Sequence, residues 1–451
     1  MIRRTAAYLA RILASQLRGD GAALVTGVAI DSRAVRPGDL FVALRGARAD
    51  GHDFARAAAA SGASAALVMR PLEVDVVQVV VADTATALLR IAANERAEAA
   101  YRLAAIAGSI GKTSTKEILA SLLGTTFRTG FTSGNRNSET GFPVEVCNQP
   151  DGIEWMVAEL AMSHAGELDR LGAVAQPNAV LYTVVAPVHL EFFRDIGAIA
   201  EAKAELIDHL SPEGVLVLNA ADPRVASFAA RFDGSVLRYG VPDRSDLWIG
   251  SYEERGLLGS RFELTGALGR VEVDCPLAGR HQADNVLAAA TLALAVGVPD
   301  DRIASAVTRL RPAHRRGEIH RIDGEVTLVD DSYNSSPEAA KALLALLAAT
   351  KGRRVAVLGE MLELGPTSAA LHREVGRRVA TSADVVVAVG GPPAADLASA
   401  ANGIEAHRTS TVEEALNLVR KLLRPGDVVL VKGSRGIGLD RLVDGLLEGV
   451  R

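Results

Sequence analysis

The chain has 451 residues, 49% of them hydrophobic, and a formal charge of −5; the length suggests about three domains and the composition is ample for real cores. The acidic balance, with no basic run interleaved with aromatics, argues against a nucleic-acid partner, and no run of about 18 uncharged apolar residues marks a membrane span. Two cysteines, Cys147 and Cys275, form neither a metal spacing nor a disulfide framework and point to a reducing compartment, so a soluble, cytoplasmic α/β protein is expected.

Residues 1–14 place Arg3, Arg4 and Arg11 in a short amphipathic pattern without an uninterrupted apolar stretch, which predicts a first helix rather than a signal peptide. The segment 1–82 reads as a small α/β unit. A strand is expected at 25–30, followed by Asp31-Ser32-Arg33, a second strand at 39–44, then Arg45-Gly46 and Asp50-Gly51-His52. A helix at 54–61 leads to a strand at 65–69. A Ser-Arg pair beside a glycine turn can grip a phosphate or a base; on spacing alone, Ser32 and Arg33 read more simply as a solvated loop.

The segment 83–312 opens with a helix at 84–100 and an apolar strand at 103–107. Next comes Gly108-Ser109-Ile110-Gly111-Lys112-Thr113-Ser114, then a helix expected at 115–123, where Ile118, Leu119, Leu122 and Leu123 fall at helical spacing. Strand, glycine turn and helix make the context of a phosphate cradle. Backbone N–H groups close around phosphate oxygens, the helix N-terminus adds positive potential, Lys112 neutralises charge and the Thr113 hydroxyl can ligate magnesium. The motif stops short of the full Walker pattern, because Ile106 stands where that pattern has a glycine. Further strands at 155–160, 179–185 and 214–218 alternate with helical stretches, so a mostly parallel sheet with helices on both faces is expected. Ligands of such sheets bind at the carboxyl ends of the strands; here those ends carry Glu159, the loop to His189, and Asn219.

Glu159 closes an apolar strand, where an unpaired buried carboxylate would be costly. A cation is its natural partner, and with Thr113 it suits a magnesium bridging the β- and γ-phosphates; the alternative is a salt-bridged core glutamate. His189 taken alone reads as structural. Lys203, between Glu201 and Glu205, reads as a surface lysine paired with one of them. His281 and Asn285 are four apart and can share a helix face.

The segment 313–451 repeats the alternation, with strands expected at 326–329, 354–358, 384–389 and 427–431 and helices at 337–349, 368–380 and 412–423. This predicts a small Rossmann-like domain. Its first parallel strand ends in the polar cluster Asp330-Asp331-Ser332-Tyr333-Asn334, suited to a base or ribose, or to capping.

Several short motifs occur in a telling order. They are Asp31-Ser32-Arg33 with Gly38-Asp39-Leu40, Asp50-Gly51-His52, the phosphate loop running into Thr115-Lys116-Glu117, Gly134-Asn135-Arg136-Asn137 with Gly141-Phe142-Pro143, Glu159-Leu160, His189-Leu190-Glu191 and Ala202-Lys203-Ala204-Glu205. In the last third come Asp331-Ser332-Tyr333-Asn334, Gly359-Glu360-Met361-Leu362-Glu363-Leu364-Gly365 and Lys432-Gly433-Ser434-Arg435. This constellation resembles the Mur ligases, the ATP-dependent amide-forming enzymes of peptidoglycan synthesis, over essentially the whole chain. Within that family it is most similar to the branch that adds D-alanyl-D-alanine to UDP-N-acetylmuramoyl-tripeptide. The Asp-Asn-Pro-Arg loop of the diaminopimelate-adding branch is absent, and folylpolyglutamate synthetase, which shares the middle and last domains, leaves the first segment unexplained.

The resemblance implies three domains: 1–82 for the UDP substrate, 83–312 as the central ATP-binding ligase domain with a P-loop-type, mostly parallel sheet, and 313–451 as a Rossmann-like domain. It implies ATP bound by Gly108, Ser109, Ile110, Gly111, Lys112, Thr113 and Ser114, with Asn285, Asp331, Tyr333 and Asn334 at adenine or ribose. Arg316 would reach the γ-phosphate and, with Lys112, Glu159, His189 and Lys203, make up the catalytic set. A pair of Mg2+ ions would be held by Thr113, Glu159, His189 and Lys203, the lysine carbamylated so that it offers an anionic oxygen. Ser32 and Arg33 would meet uracil or diphosphate, and Asn135 and Asn137 the substrate. A monomer acting on small molecules is implied, with no nucleic acid and no membrane span. Ser138, Ala161, Ser163, Val184 and Ala186 depart from the family pattern and bear on substrate or water contacts rather than on metal positions. A related ligase adding a different amino acid, and a nucleotide-dependent binding protein that has lost the chemistry, are the competing readings.

Overall fold

The structure is a computed structural model, and it describes residues 2–46, 49–323 and 325–448. The α/β class is as expected, with three successive sheet-based units. In the first, strands Gly27–Ala29, Asp39–Val42, Ala65–Val68 and Val77–Val80 run parallel, and Gln16–Arg18 adds an antiparallel edge. The single strand expected at 25–30 is two. Leu24–Val25 pairs with Arg4–Thr5, and Gly27–Ala29 pairs with Asp39–Val42. The chain changes partner at Thr26, whose N–H goes to the Gly38 carbonyl at 2.8 Å.

The central unit carries a six-stranded parallel sheet in the order Ser235–Tyr239, Val215–Asn219, Ala179–Tyr182, Arg102–Ala107, Trp155–Glu159, Thr129–Phe131. Its apolar runs lack alternation because both faces are covered. Leu103, Ala105 and Ala107 enter one core, shared with the first unit, whereas Ala104 and Ile106 enter the other, beneath helix Arg280–Ala295. An antiparallel meander, Trp248–Glu254, Ser260–Gly266 and Gly269–Cys275, lies on that second core and was not anticipated. Its signal is present as period-2 alternation: Phe262 and Leu264, then Val271, Val273 and Cys275, point inward between polar neighbours.

The phosphate-loop helix runs Lys112–Leu123, three residues earlier than expected. Gly111 caps it in the left-handed region at φ 83°, a conformation that apolar periodicity does not report. Lys112, Thr113 and Ser114 therefore form its first turn, where backbone N–H groups are unspent.

The last unit is a six-stranded sheet in the order Glu318–Ile322, Val326–Asp331, Val428–Lys432, Arg354–Gly359, Val385–Val389, Glu405–Thr409, all parallel except the first. The two edge strands and the helices Pro392–Ala400 and Asp440–Glu448 extend the expected pattern. No helix among the described residues is long and apolar enough to cross a membrane.

Candidate functional site

The carboxyl ends of the central strands and of the last unit's strands face one another across a cavity of about 850 Å³. Its central wall includes Ser109 to Ser114, Asn135, Asn137, Glu159, His189, His281 and Asn285; its opposite wall includes Asp331, Tyr333, Asn334, Lys432 and Arg435, with Arg316 at the junction.

Two glycines shape the phosphate loop. At Gly108, with φ 135°, a Cβ would stand 2.0 Å from Thr183 Oγ1, and at Gly111 one would stand 2.6 Å from Asn285 Oδ1. Close backbone approach here requires glycine. The loop is also pinned from the neighbouring strand end: the Ser109 N–H donates to the Val184 carbonyl at 2.6 Å, and the Ser109 hydroxyl bonds both backbone groups of Ala186, at 3.0 and 3.2 Å. The departures at Val184 and Ala186 thus cost nothing to these contacts, which use backbone atoms. Lys112 curls over its own loop, donating to the Ser109 carbonyl at 3.1 Å. Burial lowers its pKa, the Glu159 carboxylate opposes that, and Arg316 adds to it.

Glu159 is 3% exposed. It accepts from Thr113 Oγ1 at 2.6 Å and from Asn137 Nδ2 at 2.7 Å, and its own N–H donates to Thr132 Oγ1 at 3.1 Å. Among the described residues no ion pair reaches it, so the salt-bridged alternative fails. Its partners are neutral donors, which leaves the carboxylate charge available to a bound cation. Lys116, which sequence reasoning gave no role, is fully buried behind it and holds the Thr132 carbonyl at 2.5 Å.

Lys203 overturns its simple reading. It is 2% exposed, near the end of helix Ile196–Ala204, and its Nζ donates to the Gly108 carbonyl at 2.9 Å, behind the cavity wall rather than on it. The two flanking glutamates are engaged elsewhere, Glu201 with Arg231 at 3.2 Å and Glu205 with the Gly166 N–H at 2.9 Å. Burial, with help from Lys112, holds the Lys203 amine well below its ordinary pKa.

His189 sits on the wall with φ 57°, and its Nδ1 lies 2.5 Å from Glu363 Oε2 of the last unit. That hydrogen bond pulls the Glu363 carboxyl below its usual range. Across the cavity, the Arg316 guanidinium lies 4.4 Å from the Tyr333 ring centre, and Arg435 lies 5.2 Å from it while donating to the Tyr333 hydroxyl at 2.8 Å. Lys432 is neutralised by Asp331 and also holds the Asn334 carbonyl at 2.8 Å. Asn285 bonds Thr115 Oγ1 at 3.3 Å and Gln282 at 3.1 Å, and His281 shares its helix and the cavity wall.

Ser32 and Arg33 are not on this cavity. They form a short turn capped by Asp31, and Arg33 is paired with Asp31 at 2.6 Å with its side chain 88% exposed. Sequence reasoning assigned no role to Glu363, Lys432 or Arg435. Their signal was position, since Lys432 ends a buried strand and the other two lie in glycine-bounded loops beyond strand ends.

Three family descriptions match the chain in succession: "Mur ligase family, catalytic domain" over residues 24–108, "Mur ligase middle domain" over 106–293 and "Mur ligase, glutamate ligase domain" over 315–435. A UDP-N-acetylmuramoyl-tripeptide–D-alanyl-D-alanine ligase of Escherichia coli K12 is 34% identical over an aligned length of 453, covering 99% of each chain. MurF from Acinetobacter baumannii, a crystal structure, is 31% identical with a TM-score of 0.90 and 99% coverage of both chains. MurF ligase from Thermotoga maritima, solved in complex with ADP, is 28% identical with a TM-score of 0.82, covering 94% of this chain and 98% of its own.

Proposed function

The chain belongs to the Mur ligase family, and we propose that the cavity between its central and last sheets is the reaction centre for joining D-alanyl-D-alanine to UDP-N-acetylmuramoyl-tripeptide. The protein is an ATP-dependent ligase forming a C–N bond, and its product is the UDP-N-acetylmuramoyl-pentapeptide precursor of peptidoglycan. The observation that carries the site assignment is the shared wall: a glycine-shaped phosphate loop, flanked by Thr113 and a buried Glu159 that has no ion pair among the described residues, faces Arg316 and Tyr333 from the far side.

The tripeptide carboxylate attacks the γ-phosphate, giving an acyl phosphate and ADP. The dipeptide amine then attacks the acyl carbon and phosphate leaves. No protein nucleophile is required; positioning and charge neutralisation suffice. Lys112 and the first helical N–H groups would hold the phosphates, and Arg316 would offset charge on the transferred group from the opposite side. Asn285, Asp331, Tyr333 and Asn334 would take adenine and ribose. Asn135 and Asn137 would meet the tripeptide end, and residues 1–82, with Ser32 and Arg33, the UDP end. On this reading 83–312 is the ATP-binding ligase domain and 313–451 the Rossmann-like domain that closes over it.

The donor set fits magnesium. Thr113 and Glu159 present hard oxygens 2.6 Å apart with no competing cation among the described residues. Thr113 and Glu159 would hold one ion, with His189 and Lys203 serving a second; bound there, magnesium would neutralise phosphate charge. Lys203 suits carbamylation because a depressed pKa supplies the neutral amine. Its nitrogen bonds the carbon of CO2, and the displaced proton passes to solvent. The protein's use of ATP and a soluble nucleotide precursor fits the cytoplasm.

Phosphate release tests the reading, with ATP, magnesium and UDP-N-acetylmuramoyl-tripeptide, adding D-alanyl-D-alanine or single amino acids in turn. Turnover with the dipeptide alone is expected. Turnover with a diamino acid on the dipeptide-linked precursor would move the protein to the sister activity, and silence with every acceptor would leave a nucleotide-binding protein.

A further inference from the structure

We propose that Glu363 is a positioning residue that orients His189 from across the cavity, so that the magnesium site at His189 is complete only when the last unit is docked on the central one. The inference rests on the reading of His189 as a magnesium ligand.

The two side chains come from different units. His189 lies in the loop after the central strand Ala179–Tyr182, and Glu363 in the loop after Arg354–Gly359. Their contact is built on both sides. Both residues hold left-handed backbone, φ 57° at His189 and 63° at Glu363, a conformation costly for side chains of this size unless the surroundings impose it. A backbone bond from the Glu191 N–H to the Glu363 carbonyl at 3.3 Å runs alongside the side-chain bond. Gly365, at φ 52°, lets the loops meet: a Cβ there would stand 3.1 Å from the Leu190 carbonyl. The 360–365 loop is fixed to its own unit. The Met361 N–H donates to His372 Nε2 at 2.9 Å, the Leu362 N–H to Ser434 Oγ at 2.9 Å, and the Ser434 N–H to the Glu360 carbonyl at 3.1 Å. Glu363 is therefore presented from a rigid platform.

The chemical consequence follows from the imidazole. With Glu363 accepting from Nδ1–H, the tautomer is set and Nε2 carries the free lone pair. Histidines that ligate metals almost always donate their other ring N–H to such a partner, and loss of the buttress typically weakens metal affinity by about 10–100-fold. Because ligand and buttress sit on separate units, metal affinity and docking of the last unit are linked, each strengthening the other.

The test is Mn2+ titration by electron paramagnetic resonance of the full chain with a non-hydrolysable ATP analogue, using wild type, Glu363→Ala, Glu363→Gln and His189→Ala. Expected is a class of Mn2+ weakened about 10-fold or more in Glu363→Ala, largely restored in Glu363→Gln, whose amide oxygen still accepts from Nδ1–H, and weakened at least as much in His189→Ala. His189→Ala weakened with Glu363→Ala unchanged would overturn the positioning role and leave the ligand reading standing. His189→Ala unchanged would overturn the ligand reading, and the role of Glu363 with it.

Discussion

Lys203 and Glu159 share one property: each is a charge-bearing side chain at 3% exposure or less with no ion-pair partner among the described residues. Such groups shift their protonation or take on a ligand. Lys203→Ala is expected to lower phosphate release by about 100–1,000-fold, the size of losing one preorganised electrostatic group, while binding of the UDP substrate survives. Wild-type activity should fall in bicarbonate-free buffer and return when bicarbonate is added; a Lys203→Ala variant as active as wild type would sink the assignment. His372 makes a separate, pH-dependent prediction. It is fully buried, its Nδ1–H donates to the Ser368 carbonyl at 2.8 Å, and Nε2 accepts from Met361, so the folded protein needs it neutral. Burial accordingly lowers its pKa. The unfolded chain then binds a proton that the folded one refuses, so stability is complete above the ordinary histidine pKa, about 6.5. It declines as pH falls from there toward the depressed folded value. Melting temperatures between pH 7.5 and 5.5 should fall less steeply in His372→Gln than in wild type; equal slopes would show that His372 does not titrate in this window.

At the scale of elements, function depends on how strand ends are tied to one another. Bonds that hold the loop from Thr183 to His189 include the Thr183 hydroxyl to the Ile110 carbonyl at 2.7 Å, the Ser109 N–H to the Val184 carbonyl at 2.6 Å, Ala186 to Ser109, and the Val185 N–H to Asp222 Oδ2 at 2.7 Å. Asp222 also caps helix Pro223–Ser227 through the Arg224 N–H at 2.9 Å. Asp222→Ala should therefore cost about 1–2 kcal/mol, the upper part of the range for a lost cap, measured by urea unfolding. Asp222→Asn, which keeps an acceptor oxygen, should cost less; equal stability of all three proteins would contradict the double role. Arg315 plays the corresponding part at the junction. At φ 55° it bonds Asp444 at 2.7 Å and lies 3.5 Å from Asp330, so the connection is anchored to the last unit and Arg316 moves with it.

For the whole molecule, the cavity has walls from two units, and on the proposed reading its chemistry is assembled when they meet. X-ray scattering should show a smaller radius of gyration after addition of an ATP analogue and the UDP substrate, because closure shields an acyl phosphate from water; identical compactness with and without them would count against closure. Sequence by itself determined the α/β class, the parallel central strands and the phosphate loop, since these depend on information within a few residues: unbroken apolar runs, helical spacing and glycines where backbone must approach closely. The antiparallel meander went unplaced although it was legible in the sequence, since Phe262 and Leu264 alternate with polar neighbours along a seven-residue strand. Only the tertiary structure decided that Lys203 is buried against a carbonyl 95 residues away rather than paired with the glutamates beside it. Only the tertiary structure, too, decided that His189 meets Glu363 and that Ser32 and Arg33 lie off the main cavity. The physical reason is common to all three: burial and partnership depend on which faces of distant elements are pressed together, and a residue's own neighbours in sequence do not carry that information.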